Sequence, residues 1–337
     1  MKRLTLPPAS ERNMSTSPQQ LTEVPCNLCG SSDVEVLSLR DRSGRYLRTV
    51  ICRQCGLVYS SPRPTSEQTR AFYSRQYRIE YKGVSKPKKK HIYRAGRVAL
   101  ARYGQIRDIL KPNAVVLDVG SGGGEFVYLL RHLGFDARGI EPNEGYACYS
   151  IEEYHVPIQM GFAQDAEFPE REFDVITMHH VLEHTDNPYG IICKLRDWLK
   201  DSGFLVVEVP DLETVSQTPS RRFHVAHLYN FNQAALNTLG RKAGYGVFRT
   251  KTPSDEGNLW TIFQKSARAQ AVSGQIAGNA EKILRIIRQH TITIHYLSRH
   301  PYARLFRKIA QSIHEQLETR SSRTGKDILD QLFRESL

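Results

Sequence analysis

The chain has 337 residues, 47 Lys plus Arg against 35 Asp plus Glu, and a formal net charge of +12. Hydrophobic residues at 40% and charged residues at 24% give a globular balance that excludes wholesale disorder, and the length suggests two domains with appendages. No run reaches the ~18 apolar residues of a membrane span, and none follows Met1-Lys2-Arg3, so the protein reads as soluble and cytoplasmic. The charge is uneven: residues 108–265 carry −8 and the flanks +20. A uniformly polycationic nucleic-acid coat is thereby excluded.

In chain order, residues 1–22 are polar and aperiodic and read as a disordered tail. Residues 23–81 form a small module with strands expected over Val34–Leu39 and Arg48–Ile51, a turn at Asp41–Gly44, and a helix over Thr65–Tyr77 capped by Ser66. Residues 82–111 are a basic linker, with Lys86, Lys88, Lys89 and Lys90 before a helical pattern through Val98, Tyr103 and Ile106. The lysine run reads as a solvated link, with a phosphate-facing lid as the alternative. Over residues 112–265, strands at Val115–Val119, Ala137–Ile140, Asp174–Met178 and Phe204–Val209 alternate with helices, including Val181–Leu182 and Ile191–Leu199. Buried strands flanked by helices predict an α/β fold with a doubly wound, Rossmann-like, mostly parallel sheet. Residues 266–337 read as a helical extension. There Leu305, Ile309, Ile313 and Leu317 form an amphipathic stripe, expected to dock or to make a homodimer rather than to anchor in a membrane.

Four of the six cysteines form Cys26-x-x-Cys29 and Cys52-x-x-Cys55. Two such pairs can supply four thiolates to a tetrahedral Zn²⁺, and Gly30 and Gly56 let each knuckle turn its amides toward sulfur. Four protein ligands close the site to water and substrate, so the zinc is expected to be structural, stapling a thin core. Cys148 and Cys193 lack a partner pattern and read as packing residues.

The strand Val115–Val119 runs into Gly120-Ser121-Gly122-Gly123-Gly124 and then a helix. Without Gly-Lys-Ser/Thr this is no nucleoside-triphosphate loop, and Glu125 stands where a dinucleotide fingerprint needs its third glycine. The alternative ligand lacks phosphate and carries an amino-acid ammonium, ribose and adenine. Asp118 can serve the ammonium, and Glu141, at the end of the next strand, can accept both hydrogen bonds of a ribose diol.

Val115–Phe126 with Glu141 resembles the cofactor motif of class I S-adenosylmethionine-dependent methyltransferases. Phe173-Asp174-Val175-Ile176, His180-Val181-Leu182-Glu183-His184, Asp186-Asn187-Pro188, Phe204–Pro210 and His227-Leu228-Tyr229-Asn230-Phe231 follow in the order of that family. The resemblance covers residues 112–265. It implies that Asp118, Gly120, Ser121, Gly122, Gly124, Glu141 and Pro142 hold S-adenosylmethionine and that His179 and His180 line the same cleft. It also implies that residues 161–166, with Phe162 and Asp165, contact adenine. The two cysteine pairs with Gly56-Leu57-Val58-Tyr59, Pro62-Arg63-Pro64 and Phe72-Tyr73 are similar to bacterial zinc-containing methyltransferases of polysaccharide, deoxysugar and natural-product pathways. The sugar C-methylating members carry a long second α/β domain. Residues 266–337 read as helices instead, which points to O-methylation of a sugar hydroxyl on a glycan, nucleotide-linked or lipid-linked saccharide.

A sugar hydroxyl is a weak nucleophile at neutral pH, so a general base or a metal is needed. His180, Glu183, His184, His224, His227 and Tyr229 lie near strand ends, where open α/β sheets bind ligands. The resemblance favours His227 as base, since family members place a His before Tyr-x-Phe facing the acceptor, with His184 second. Glu183 and His184 could alternatively bind a divalent ion, as in similar quinone-type O-methyltransferases, with a third ligand unidentified. An RNA methyltransferase with a zinc recognition module, a small-molecule O- or C-methyltransferase and a non-enzymatic scaffold are the competing readings. Nucleic acid is disfavoured as a partner because the cysteine segment lacks interleaved basic and aromatic residues.

Overall fold

The computed structural model describes residues 21–65, 67–68, 87–251, 257–266, 272–320 and 324–337. Residues 1–20 of the expected tail, most of the helix expected over Thr65–Tyr77 with its Ser66 cap, the Phe72-Tyr73 pair and Lys86 lie outside the described residues.

The cysteine module is built from short antiparallel strands: β1 (Leu21–Thr22), β2 (Val34–Arg40), β3 (Tyr46–Cys52), β4 (Val58–Ser60) and β5 (Arg63–Pro64). β1, placed in the tail by sequence, pairs with β5, while β2, β3 and β4 form a meander. Helix α1 (Lys89–Ile106) buries Ile92, Tyr93, Gly96, Ala99 and Ile106. Val98, expected on its apolar side, is instead exposed.

From β6 (Val115–Val119) the chain alternates through α2 (Glu125–His132), β7 (Asp136–Glu141), α3 (Glu144–Tyr154), β8 (Ile158–Met160), β9 (Phe173–His179), α4 (Pro188–Trp198) and β10 (Leu199–Pro210). It then continues through β11 (Tyr229–Asn230), α5 (Gln233–Lys242), β12 (Tyr245–Lys251) and β13 (Asn258–Lys265). The seven-stranded sheet runs β12-β13-β10-β9-β6-β7-β8, parallel from β10 to β8 and antiparallel where β13 meets β10 and β12. This is the Rossmann-like α/β fold expected from the sequence.

Successive β-residues point to opposite faces, so Leu117 and Ile176 enter the core shared with the cysteine module, whereas Val116 and Val175 enter the core under α1 and α2. Asn143, Asn187 and Asn232 cap α3, α4 and α5 through their side chains, each accepting from a backbone amide three residues on. The helix expected at Val181–Leu182 is a single 3₁₀ turn, Leu182–His184. His180 enters it at φ +56°, a left-handed conformation that cannot propagate a helix, and Pro188 then starts α4 afresh.

The extension supplies α6 (Asn279–Gln289), α7 (Ile292–Leu297), α8 (His300–Glu318) and α9 (Gly325–Ser336). Asn279 at the start of α6 donates to the Cys55 carbonyl at 2.8 Å and accepts from Asn232 at 2.7 Å, joining the cysteine module to α5. Helix α9 opens with a Thr324/Asp327 capping box and seats Leu329, Leu332 and Phe333 under α1. The approach is close: a Cβ on Gly96 of α1 would lie 2.7 Å from Leu329.

Candidate active site and cysteine cluster

Cys26, Cys29, Cys52 and Cys55 come together with all four sulfurs within 4.8 Å of one another. Cys26–Cys55 and Cys29–Cys52 Sγ separations are both 3.4 Å, far beyond a disulfide bond. Gly30 and Gly56, at φ +79° and +74°, close the two knuckles by donating to Cys26 and Cys52 carbonyls at 2.8 Å each. A tetrahedral zinc with ~2.3 Å bonds sets sulfurs ~3.8 Å apart, so the donor set fits Zn²⁺ with an adjustment of a few tenths of an ångström. Three of the four residues are buried, and four thiolates confined this closely need a cation to ionise together.

At the carboxyl ends of β6, β7 and β9 lies a cavity of about 430 Å³. Its glycine rim includes Gly120 and Gly122 at φ +74° and +59°. Gly120 and Ser121 donate to the Ile140 carbonyl, pinning the turn onto β7, and a Cβ on Gly120 would collide with Val181. The Glu141 carboxylate is fixed on both oxygens: Gly122 N donates to Oε2 at 2.8 Å and Asn143 N to Oε1 at 2.9 Å.

Gly120, Ser121, Gly122, Glu141, Pro142 and Phe162 line the cavity, as do His179, His180 and His184. Gly124 does not; it opens α2, where a Cβ would meet Ser150 at 2.7 Å. Asp118 lies in an adjoining cavity of about 290 Å³, its carboxylate accepting from Thr177 Oγ1 at 2.7 Å and lying 3.4 Å from His179 Nδ1. Asp165 is exposed and away from the lining, while Ala163 and Gln164 sit beside Phe162.

The acid–base groups form one chain of contacts. His180 Nδ1 is 3.4 Å from Glu183, its Nε2 is 3.5 Å from Glu208, and Arg102 donates to Glu208 at 2.9 Å. Burial alone would lower the His180 imidazole, but the two carboxylates outweigh it and raise it to about 9. Burial likewise pushes Glu183 up, yet the charges of His184, His180 and His227 overcome this and hold it at about 2. Both Glu183 oxygens are buried without an aligned hydrogen bond among the described residues. His184 Nδ1 lies 2.7 Å from the Ala226 carbonyl, which only accepts, so this nitrogen donates and Nε2 is the lone-pair nitrogen of the neutral ring.

His227 stands behind His184, ring centroids 5.0 Å apart, and His224 behind His227 at 5.4 Å. Burial, then the charge of His184, lowers His227 to about 3; burial also lowers His224, to about 4. Tyr229 is buried between Tyr59 and Phe231, with its hydroxyl directed to the Asp186 carbonyl rather than to the cavity. Glu183, His184 and His227 offer ligand atoms within 4.8 Å of one another, so His227 completes the set that the sequence left at two.

Sequence reasoning missed Arg102, Glu208 and His91, whereas Gln164 falls within the 161–166 segment expected at adenine. While Lys88 and Lys89 of the lysine run are exposed, the basic helical segment also forms a wall of the cavity, contributing His91, Ala95 and Arg102 from α1. Their spacing puts them on one helical face, the only signal the sequence offered.

Residues 90–249, just under half of the chain, match the family model described as a methyltransferase domain. Over 123 residues it is 28% identical to phosphoethanolamine N-methyltransferase 3 of Arabidopsis thaliana, covering 34% of this chain and 24% of that protein. Over 106 residues it is 30% identical to ubiquinone biosynthesis O-methyltransferase of Glaesserella parasuis, covering 27% and 43% respectively. The chain thus spans less than half the length of either relative. Among solved structures, an S-adenosylmethionine-dependent methyltransferase from Thermotoga maritima aligns with TM-score 0.45 at 20% identity, covering 59% of this chain and all of that one.

Proposed function

We propose that the protein is an S-adenosylmethionine-dependent methyltransferase that O-methylates a hydroxyl of a saccharide or phosphate-linked saccharide. The observation that carries the cofactor reading is the Glu141 carboxylate, fixed by Gly122 and Asn143 amides at the lip of the glycine turn, where a ribose diol can donate to it. Residues 23–81 are proposed as the zinc module, 82–111 as a linker, 112–265 as the catalytic domain and 266–337 as a helical extension.

S-adenosylmethionine, when bound, supplies a methyl group as electrophile. The glycine turn and Glu141 would hold it, with Phe162, Ala163 and Gln164 of the cavity lining placed to contact adenine. His184, on the cavity wall with Nε2 as its lone-pair nitrogen, takes the acceptor hydroxyl's proton. Glu183, 3.7 Å from that nitrogen, stabilises the imidazolium that results. His227, kept neutral by burial, packs against His184 and fixes its ring without competing for the proton. This moves the base from His227, favoured by resemblance, to the histidine that lines the cavity. Arg102 and protonated His180 on the cavity wall are each paired with a carboxylate, Glu208 for Arg102 and Glu183 with Glu208 for His180, which fixes them in place.

Incubation with labelled S-adenosylmethionine and a panel of nucleotide sugars and glycans tests the reading. The expected result is labelled O-methyl sugar. Absence of cofactor binding in calorimetry, or label on nitrogen or carbon alone, overturns it.

The clustering of Glu183, His184 and His227 favours one second reading, a divalent ion that polarises the acceptor hydroxyl. Metal analysis by mass spectrometry separates the two readings. One zinc per chain supports base catalysis; a second ion, lost on His227→Ala, supports the metal.

A further inference from the structure

We propose that α7 and α8 form a dimer interface on which a second copy of this chain docks, the two α8 helices pairing antiparallel. The observation is an inverted helix. α8 meets α1 through polar side chains: Glu315 accepts twice from Arg94 at 2.6 Å, and His314 lies 3.3 Å from the Tyr93 hydroxyl. Glu315 is 2% exposed. On the opposite side, Tyr302, Leu305, Phe306, Ile309, Ile313 and Leu317 face outward, every one at least half exposed and Phe306 72%. A helix that faced only solvent would carry this stripe inward.

Three features commit the surface to a second copy. The first is area. The exposed residues of the α8 stripe present roughly 700 Å², and Tyr296 and Leu297 of α7 bring this to about 1,000 Å², against the ~800 Å² per partner of a stable interface. The second is self-complementarity. Leu305, Ile309, Ile313 and Leu317 form a ridge at four-residue spacing that interlocks with its own copy about a two-fold axis near Ile309. The third is direction. Each helix N-terminus then lies beside the partner's C-terminus, so antiparallel pairing opposes unlike ends of the two helix dipoles.

The placement of the α8 cations disfavours a lipid surface. A membrane-surface helix flanks its apolar face with cations reaching toward headgroups. Here Arg304 turns back to the Ser216 carbonyl at 3.3 Å, and no charged residue falls within the stripe.

Sedimentation velocity on the full chain from about 1 to 100 µM tests the proposal. Wild type is expected to dimerise, and I309E and I309K each to weaken association by about 100-fold or more. Because residue 309 meets its own copy at the two-fold axis, mixing I309E with I309K is expected to restore dimers. L39E, on an exposed apolar residue of the cysteine module, serves as control and leaves association unchanged. Circular dichroism melts and S-adenosylhomocysteine affinity, expected to be those of wild type, show that each variant is folded. A wild type monomeric at 100 µM, dimers that survive I309E, or no recovery on mixing overturns the proposal. So does a monomer that cosediments with phosphatidylglycerol vesicles through these residues.

Discussion

His184 and His227 meet edge to face with ring centroids 5.0 Å apart, but only His184 lines the cavity. Sequence order favours His227, because the signature His-x-Tyr-x-Phe draws attention to it. Space favours His184, because the 3₁₀ turn that carries it faces the glycine rim. The two histidines are 43 positions apart and come together only through the fold.

Their roles separate by substitution. His184→Asn is expected to lower kcat by roughly 10²–10⁴-fold while leaving S-adenosylhomocysteine affinity unchanged. His227→Asn is expected to cost less, about tenfold, by loosening the His184 ring. Stopped assays with a methylated-product readout, beside calorimetry, check both. Equal losses in the two variants would reject His184 as the group that takes the proton.

Glu141→Ala removes the carboxylate held by Gly122 and Asn143. A charged hydrogen bond contributes about 1.5–3 kcal/mol, so S-adenosylmethionine affinity is expected to fall roughly 10- to 100-fold. Glu141→Gln should fall between wild type and alanine, since an amide accepts less strongly. Isothermal calorimetry reads the series, and unchanged affinity in Glu141→Ala would refute the ribose assignment.

The buried histidines predict an uneven pH–stability curve. His180, raised to about 9 from an ordinary 6.5, contributes stability that is complete below pH 6.5 and lost as pH rises through 9. His224 and His227, lowered to about 4 and 3 from the same ordinary value, act oppositely. The unfolded chain binds their protons first, so their contribution is complete above pH 6.5 and declines as pH falls toward those values. Glu183, at about 2 against an ordinary 4.5, stabilises above pH 4.5 and is lost as pH falls through 2. Together these groups place maximal stability near pH 6.5. Thermal melts from pH 4 to 10 should show it, with His180→Asn flattening the alkaline limb and His227→Asn the acid limb.

The cysteine cluster is expected to hold one zinc, and its loss to damage the acceptor side before the cofactor side. Tyr59 of β4 pairs with Tyr229 of β11, two residues after His227, and Ser60 N donates to the Leu228 carbonyl. Cys52→Ser should therefore lower the melting temperature and turnover strongly, yet weaken S-adenosylhomocysteine binding by only a few-fold. Metal content, melting temperature and calorimetry decide it. Cofactor affinity abolished along with turnover would refute the selective effect.

What the sequence made legible was local. Cys26-x-x-Cys29 and Cys52-x-x-Cys55, the glycine turn and Glu141 each announce themselves within a few residues, because the chemistry needs those side chains at fixed spacing. What stayed hidden depends on contacts between distant segments. The two-residue strand Tyr229–Asn230 carries no periodicity and becomes a strand only when β4 lies beside it. Helix α1 read as a basic helical linker because its charges dominate the pattern, and nothing local beyond helical spacing marks His91, Ala95 and Arg102 as the face that closes the cavity. The apolar stripe of α8 was visible, but not that Glu315 and Arg94 would turn it outward.

The loan of β11 to the cysteine sheet also sets an order of assembly. On the ribosome both metal knuckles are complete once Cys55 has emerged, yet β4 has to wait for residues 229 and 230 to be made before its outer edge is covered. During that interval the nascent amino-terminal segment carries an open strand edge beside the buried side chains of Val58 and Tyr59, the kind of surface that recruits chaperones or other nascent chains. The cysteine segment is for the same reason not a portable cassette: grafted onto another protein, it would arrive with one edge of its sheet unfinished.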